Sequence, residues 1–188
     1  MEGEDELYNR QIPLDLVIPA SVGVIGIGGV GAWVALDLAL AGVPKLVVVD
    51  YDLVERSNLN RTPFRSIDIG KAKVEAITQI ILERREECQI LFFQERVQDL
   101  PEFGKMALKG CQYLIDCRDV AEAPPFGLKT PIVGGYDGFN ITLDINPAYK
   151  IWGEGRGYRV IPSYLIPPQF LANLITLYLL DPARHQAQ

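Results

Sequence analysis

The chain alternates between short apolar runs and polar connections. Residues 22–27 (VGVIGI) and 45–50 (KLVVVD) are almost unbroken apolar stretches of strand length, the pattern of strands buried on both faces of a parallel sheet. Between them, VGAWVALDLALAG at 30–42 is apolar nearly all round and ends in glycine, which predicts a buried helix. Strand, helix and strand fit in about 30 residues, the size of the unit that opens a doubly wound sheet. Helical spacing returns over 70–87, where Val74, Ile77, Ile80 and Ile81 share a face. QILFF at 89–93 and QYLID at 112–116 predict two further strands, and PIVGG at 131–135 the end of another. FNITLDIN at 139–146 alternates more clearly, as an antiparallel strand with one exposed face does. The stretch 121–131 is too rich in proline for a regular helix. Residues 153–168 are irregular, and QFLANLITLYLL at 169–180 predicts a closing apolar helix.

This order predicts an α/β fold: a Rossmann-like, doubly wound, mostly parallel sheet with antiparallel C-terminal strands. No repeat or linker interrupts it, so residues 1–188 read as one domain.

Composition narrows the function classes. Of 188 residues, 48% are hydrophobic and 22% charged, as in an ordinary globular protein. The net charge of -6 argues against a nucleic-acid or anionic-membrane partner, since both need a basic footprint. No apolar run reaches the roughly 20 residues of a membrane span. The acidic start, MEGEDELYNR, is no secretory signal, and a cytoplasmic protein is expected. Cys88, Cys111 and Cys117 form no C-x-x-C pair, so a four-thiolate zinc site within one chain is excluded. The single histidine, His185, sits in a polar tail, and histidine-based acid–base chemistry is not expected.

The candidate chemistry begins at G-I-G-G-V-G, residues 26–31. Gly26, Gly28, Gly29 and Gly31 stand between a predicted strand and a predicted helix, where backbone N–H groups can meet a phosphate. Asp50 ends the next strand, in reach of ribose hydroxyls. Up to this point a nicotinamide oxidoreductase fits equally well. The following segment, D-Y-D-L-V-E-R-S-N-L-N-R at 50–61 and D-I-G-K-A-K at 68–73, favours a different chemistry. It adds a second carboxylate, Asp52, with Asn58, Arg61 and Lys73. Hydride transfer needs none of these. Displacement at a triphosphate needs cations against the phosphates and a carboxylate for magnesium. Arg56 and Arg65 read as solvated loop residues.

Five motifs in register resemble the ThiF/MoeB-like family, which includes the ubiquitin-activating enzymes: Y-N-R-Q-I at 8–12, the glycine loop, the 50–61 and 68–73 segments, and D-C-R-D at 116–119. The resemblance implies ATP-dependent adenylylation of a carboxylate, giving an acyl-adenylate and pyrophosphate. It implies that Asp50 binds the ribose, that Asn58, Arg61 and Lys73 contact the phosphates, and that Asp119 holds Mg2+. Arg10 resembles the arginine that enters the neighbouring subunit's ATP site, which implies a homodimer.

Four departures from the family matter. The zinc-binding C-x-x-C pairs are absent, so no zinc is expected. No cysteine follows Cys117, which reads as a packed thiol rather than an acyl or sulfur acceptor. Thr62 and Val120 replace the usual Gln and Asn. A short connection with Pro124 and Pro125 replaces the usual helix after D-C-x-D. These losses favour a small-molecule carboxylate, and the plan resembles the compact branch that activates guanylylpyridinol in biosynthesis of the mono-iron hydrogenase cofactor. The alternatives are activation of a ubiquitin-like sulfur carrier and a non-catalytic nucleotide-binding scaffold. Arg118, Tyr136 and Asp137 are candidate pocket residues, because they adjoin strand ends where open α/β sheets bind ligands.

Overall fold

The computed structural model describes residues 6–119, 126–128, 132–145, 163–181 and 183. Six strands form one sheet: β1 (Val22–Ile25), β2 (Lys45–Val49), β3 (Gln89–Phe93), β4 (Tyr113–Asp116), β5 (Ile132–Asp137) and β6 (Asn140–Ile145). Their order is β3-β2-β1-β4-β5-β6. The first five run parallel, and β6 returns antiparallel beside β5. This is the strand order of the dinucleotide-binding sheet, which reverses between β1 and β4.

Each central strand serves two cores. Val22 and Val24 of β1 face a cluster built with α1 (Gly31–Leu40), α2 (Lys73–Leu82) and α4 (Ile166–Leu180). Ile25 faces the opposite cluster, with Val47, Val49, Leu114 and Leu108 of α3 (Glu102–Lys109). Burial on both faces is why these strands read as continuous apolar runs.

Element boundaries follow local chemistry. The apolar run at 22–27 stops being a strand at Ile25, because Gly26 turns the chain with φ +86°. Helix α4 starts at Ile166, earlier than its apolar run suggests, because Pro167 and Pro168 occupy its first turn, where no N–H partner is lost. Helix α3 has no expectation to match. Gly104 lies inside it, Phe103 and Met106 are exposed, and only Gly104 and Leu108 are buried. Phe103, Met106 and Ala107 share one face, but eight residues are too few turns for that spacing to stand out in the sequence. Val120, Pro124, Pro125 and His185 lie outside the described residues. Among the described residues no helix is long and apolar enough to cross a membrane.

Helix α1 lies between α2 and α4 and is buried over most of its surface. Asp37 is its one charged residue, and its Oδ2 is buried without a hydrogen-bond partner among the described residues. Burial lifts its pKa from 3.8 to about 6. A carboxyl raised in the folded state favours folding while protonated, and that advantage disappears as pH rises through about 6. Asp37→Asn is therefore expected to stabilise the protein above pH 7 by on the order of 2 kcal/mol, with the gain shrinking towards pH 4. Melting curves of both proteins from pH 4.5 to 8 check this. A gain independent of pH would contradict it.

Candidate functional site

The glycine loop joins β1 to α1 at the C-terminal edge of the sheet. A Cβ on Gly31 would lie 1.9 Å from the carbonyl oxygen of Gly26, and one on Gly26 would lie 2.9 Å from the backbone of Cys117 and Arg118. These two glycines let the turn close against the segment after β4. Gly28 differs: a Cβ there would meet nothing within 4 Å. It faces open space, so a ligand atom could approach its backbone.

Asp50 fixes the loop from the end of β2. Its Oδ2 accepts the Ile27 N–H at 2.6 Å, and its Oδ1 accepts the Asp52 N–H at 2.8 Å. Burial pushes its pKa up, against the opposing influence of Lys73 and the two backbone N–H groups.

Residues 50–73 leave the sheet and come back. The return is pinned by a bridge between Leu53 and Ala72, by Val54 N–H donating to the Lys71 carbonyl, and by Lys73 N–H donating to the Asp52 carbonyl. The closure places the Lys73 ammonium 2.7 Å from an Asp52 carboxylate oxygen. Two short turns shape the excursion. Asn58 Oδ1 accepts the Glu55 N–H at 2.9 Å, and Asp68 Oδ2 accepts the Arg65 N–H at 3.0 Å. Asn58 thus acts here on the backbone: its carbonyl also accepts the Arg61 N–H and the Thr62 hydroxyl. Thr62, in place of the expected amide, makes its own anchor to the same turn.

Arg61 is held on several sides. Its carbonyl accepts the Trp33 indole N–H of α1 at 2.9 Å. Its Nη1 donates to the Ser57 carbonyl and to Asn60 Oδ1, and its Nε donates to the Tyr136 hydroxyl at 3.1 Å. No carboxylate pairs with it among the described residues. Arg65 departs from expectation. It bonds both Asp68, which is fully buried, and Glu83, and so has a structural role while its side chain stays partly exposed. Burial opposes charge on Asp68, but the hydrogen bonds from Arg65 and Lys71 outweigh it and hold the carboxyl down to about 2. Arg56 is exposed, as expected.

On the far side of the loop, the Cys117 N–H donates to the Ile25 carbonyl. The Cys117 thiol packs against the core, and burial raises its pKa strongly, which leaves it unreactive as a nucleophile. Asp116 is buried and takes Arg118 through Nε at 2.9 Å and Nη2 at 2.7 Å. Asp119 is exposed, just past the strand. Among the described residues no three His, Cys, Asp or Glu side chains gather as a metal cluster.

The structure therefore brings together Gly26, Gly28, Gly29, Gly31, Asp50, Asp52, Asn58, Arg61 and Lys73, with Asp119 following β4. Arg10 does not join its own chain's site. Gln11 beside it donates to the Ala41 carbonyl at 2.6 Å, and the Tyr8 ring packs by Gly42 under the Arg85 guanidinium. Arg10 thus lies at the far end of α1 from the loop, about 15 Å for a ten-residue helix. Sequence reasoning missed Trp33 and Ser57, and it placed Tyr136 near the pocket without its partner.

Comparison with known proteins places this geometry. Adenylyltransferase and sulfurtransferase MOCS3 of Drosophila persimilis is 29% identical over 163 residues, 82% of this chain and 35% of that protein. The chain thus spans about a third of the length of that relative. Among solved structures, PaaA matches with a TM-score of 0.71 and 25% identity over 94% of this chain and 64% of its own. The E. coli tRNA N6-threonylcarbamoyladenosine dehydratase TcdA, in complex with ATP, matches with a TM-score of 0.51 and 29% identity over 65% of this chain and 50% of its own. The ThiF family model matches residues 15–125, more than half of the 188 residues and all of the glycine-loop, Asp50–Lys73 and D-C-R-D segments, and the chain belongs to the ThiF family.

Proposed function

We propose that this protein binds Mg-ATP at the glycine loop and adenylylates a substrate carboxylate. The observation that carries this reading is the return of residues 50–73, which sets Lys73 and Arg61 beside a loop that Asp50 holds in shape. The loop and the N-terminus of α1 offer N–H groups to phosphate oxygens. Arg61, with no carboxylate partner among the described residues, offsets charge that builds on the phosphates as the α-phosphorus is attacked. The substrate carboxylate is itself the nucleophile and pyrophosphate is the leaving group. No side chain has to supply a nucleophile, and catalysis rests on alignment and electrostatics. ATP bound to TcdA and the adenylyltransferase name of MOCS3 support this chemistry.

Asp119 fits a magnesium ion of this kind: an exposed carboxylate beside the loop, without a bond to another side chain among the described residues. Mg2+ is commonly held by one or two carboxylates, phosphate oxygens and water. When bound, it would neutralise charge on the phosphates. Arg10, exposed at the far end of α1, supports a homodimer in which it serves the partner's site. The preferred substrate is a small-molecule carboxylate, with guanylylpyridinol the first candidate, because the Cys117 thiol beside the loop is packed against the core and held protonated, which does not suit an acyl or sulfur acceptor. A cytoplasmic location accompanies this reading.

Three outcomes are expected. Calorimetry should show Mg-ATP binding; its clear absence would favour a scaffold without catalysis. Arg61→Ala and Asp119→Ala should each lower ATP–pyrophosphate exchange with the activating carboxylate by roughly 10²–10³. Near-full exchange in both variants, or exchange that starts only with a ubiquitin-like carrier, would overturn the mechanism or the choice of substrate respectively. The glycines should separate fold from function. Gly28→Ala should melt like the wild type and lose Mg-ATP binding, whereas Gly31→Ala should lose the native fold, read by circular dichroism.

A further inference from the structure

Tyr136 belongs to β5, and its ring packs against the main core cluster. Its hydroxyl leaves that core and reaches the glycine loop. A Cβ on Gly29 would lie 2.5 Å from the hydroxyl oxygen, so the tyrosine rests where only glycine leaves room. The same oxygen accepts the Arg61 Nε–H at 3.1 Å. Arg61 comes from the excursion after β2, and its Nη1 is already turned to Ser57 and Asn60. One phenol therefore joins three elements: β5, the glycine loop and the excursion.

We infer that Tyr136 is a positioning residue for nucleotide binding, holding the Arg61 guanidinium beside the glycine loop so that it meets the phosphates in a fixed orientation. An arginine has long rotamer freedom, and each bond made before the ligand arrives lowers the ordering cost on binding. The bonds to Ser57 and Asn60 lie within the excursion, so they fix the guanidinium relative to that loop only. The bond to Tyr136 is the one that fixes it relative to the sheet. Gly29 then has a second duty beyond the turn: lacking a side chain, it lets the phenol approach. The inference rests on the proposed ATP site, and its test separates the two.

The test is calorimetric titration of the wild type, Tyr136→Phe, Arg61→Ala and the double variant with Mg-ATP, and with adenosine, which carries no phosphate. Tyr136→Phe keeps the ring in the core and removes only the oxygen. It should weaken Mg-ATP binding about tenfold, the range for a lost hydrogen bond to a charged group, and leave adenosine binding unchanged. In the Arg61→Ala background the same change should have no further effect. Wild-type ATP affinity in Tyr136→Phe would overturn the inference. So would an equal loss for ATP and adenosine, which a purely structural role predicts, or a full additional loss on top of Arg61→Ala. If Arg61→Ala loses ATP affinity and Tyr136→Phe does not, the ATP site stands and only the role of Tyr136 falls. A wild-type protein that binds neither ligand overturns both.

Discussion

Asp50 is the point on which the site turns. Its carboxylate is buried, and it receives two backbone N–H groups, one from the glycine loop and one from the start of the excursion. Burying a carboxylate is unfavourable unless such donors meet it, so the charge holds both segments in place. The same bonds leave it able to serve a nucleotide. Two oxygens offer about four acceptor positions, and the two N–H groups use one on each oxygen. A ribose hydroxyl can be added without breaking the bonds that shape the loop. The turn is thus formed before a ligand arrives, and binding need not reorganise it.

The second constraint is the closure of residues 50–73. Lys73 follows Asp52 by 21 positions, yet their side chains meet because a short antiparallel bridge folds the excursion back on itself. Between the ends of that bridge the excursion has no α-helix or strand, only two short 3-10 turns held by buried polar side chains. Asn58 and Asp68 each satisfy a turn N–H, and Asp68 also gathers Arg65 and Lys71. Each is an internal partner for a group that would otherwise be buried unpaired. Residues carried by the family motifs are therefore of two kinds here. Arg61 and Lys73 supply the cations, Lys73 already paired with Asp52, while Asn58 and Asp68 hold the backbone that carries them.

This division explains what the sequence made legible. Strands buried on both faces announce themselves as apolar runs, and the glycine spacing marks the turn between β1 and α1, so the sheet and the glycine turn could be read locally. Gly29 and Gly31 look alike in sequence, but one makes room for a tyrosine and the other for a carbonyl. Arg65 looked like a solvated cation because its partner's burial depends on tertiary packing. Helix α3 escapes a reading of periodicity because its eight residues hold only one short apolar face, Phe103, Met106 and Ala107, with little repeat to detect. Tyr136 could be placed near the site by its strand end, but its bond to Arg61 depends on how β5 sits across the sheet from an excursion 75 residues away. Periodicity carries no information about such a distance.

The position of the site follows from the strand order. The strand order reverses between the parallel strands β1 and β4, and the segments after those two strands pack together, with Gly26 against Cys117 and Arg118. Open α/β sheets have a crevice at that point. In a chain of net charge -6, a crevice for phosphates has to be shielded from the acidic remainder. The pairings do this locally. Asp116 is met by Arg118 and Asp52 by Lys73, so two carboxylates near the loop are matched by cations, and Asp50 is met by backbone N–H groups. Arg61 has only neutral acceptors among the described residues, and its charge stays uncompensated until an anion arrives. Local arrangement, rather than net charge, thus decides the sign of the site, and the neutral oxygen of Tyr136 can orient Arg61 without cancelling the charge that makes it useful.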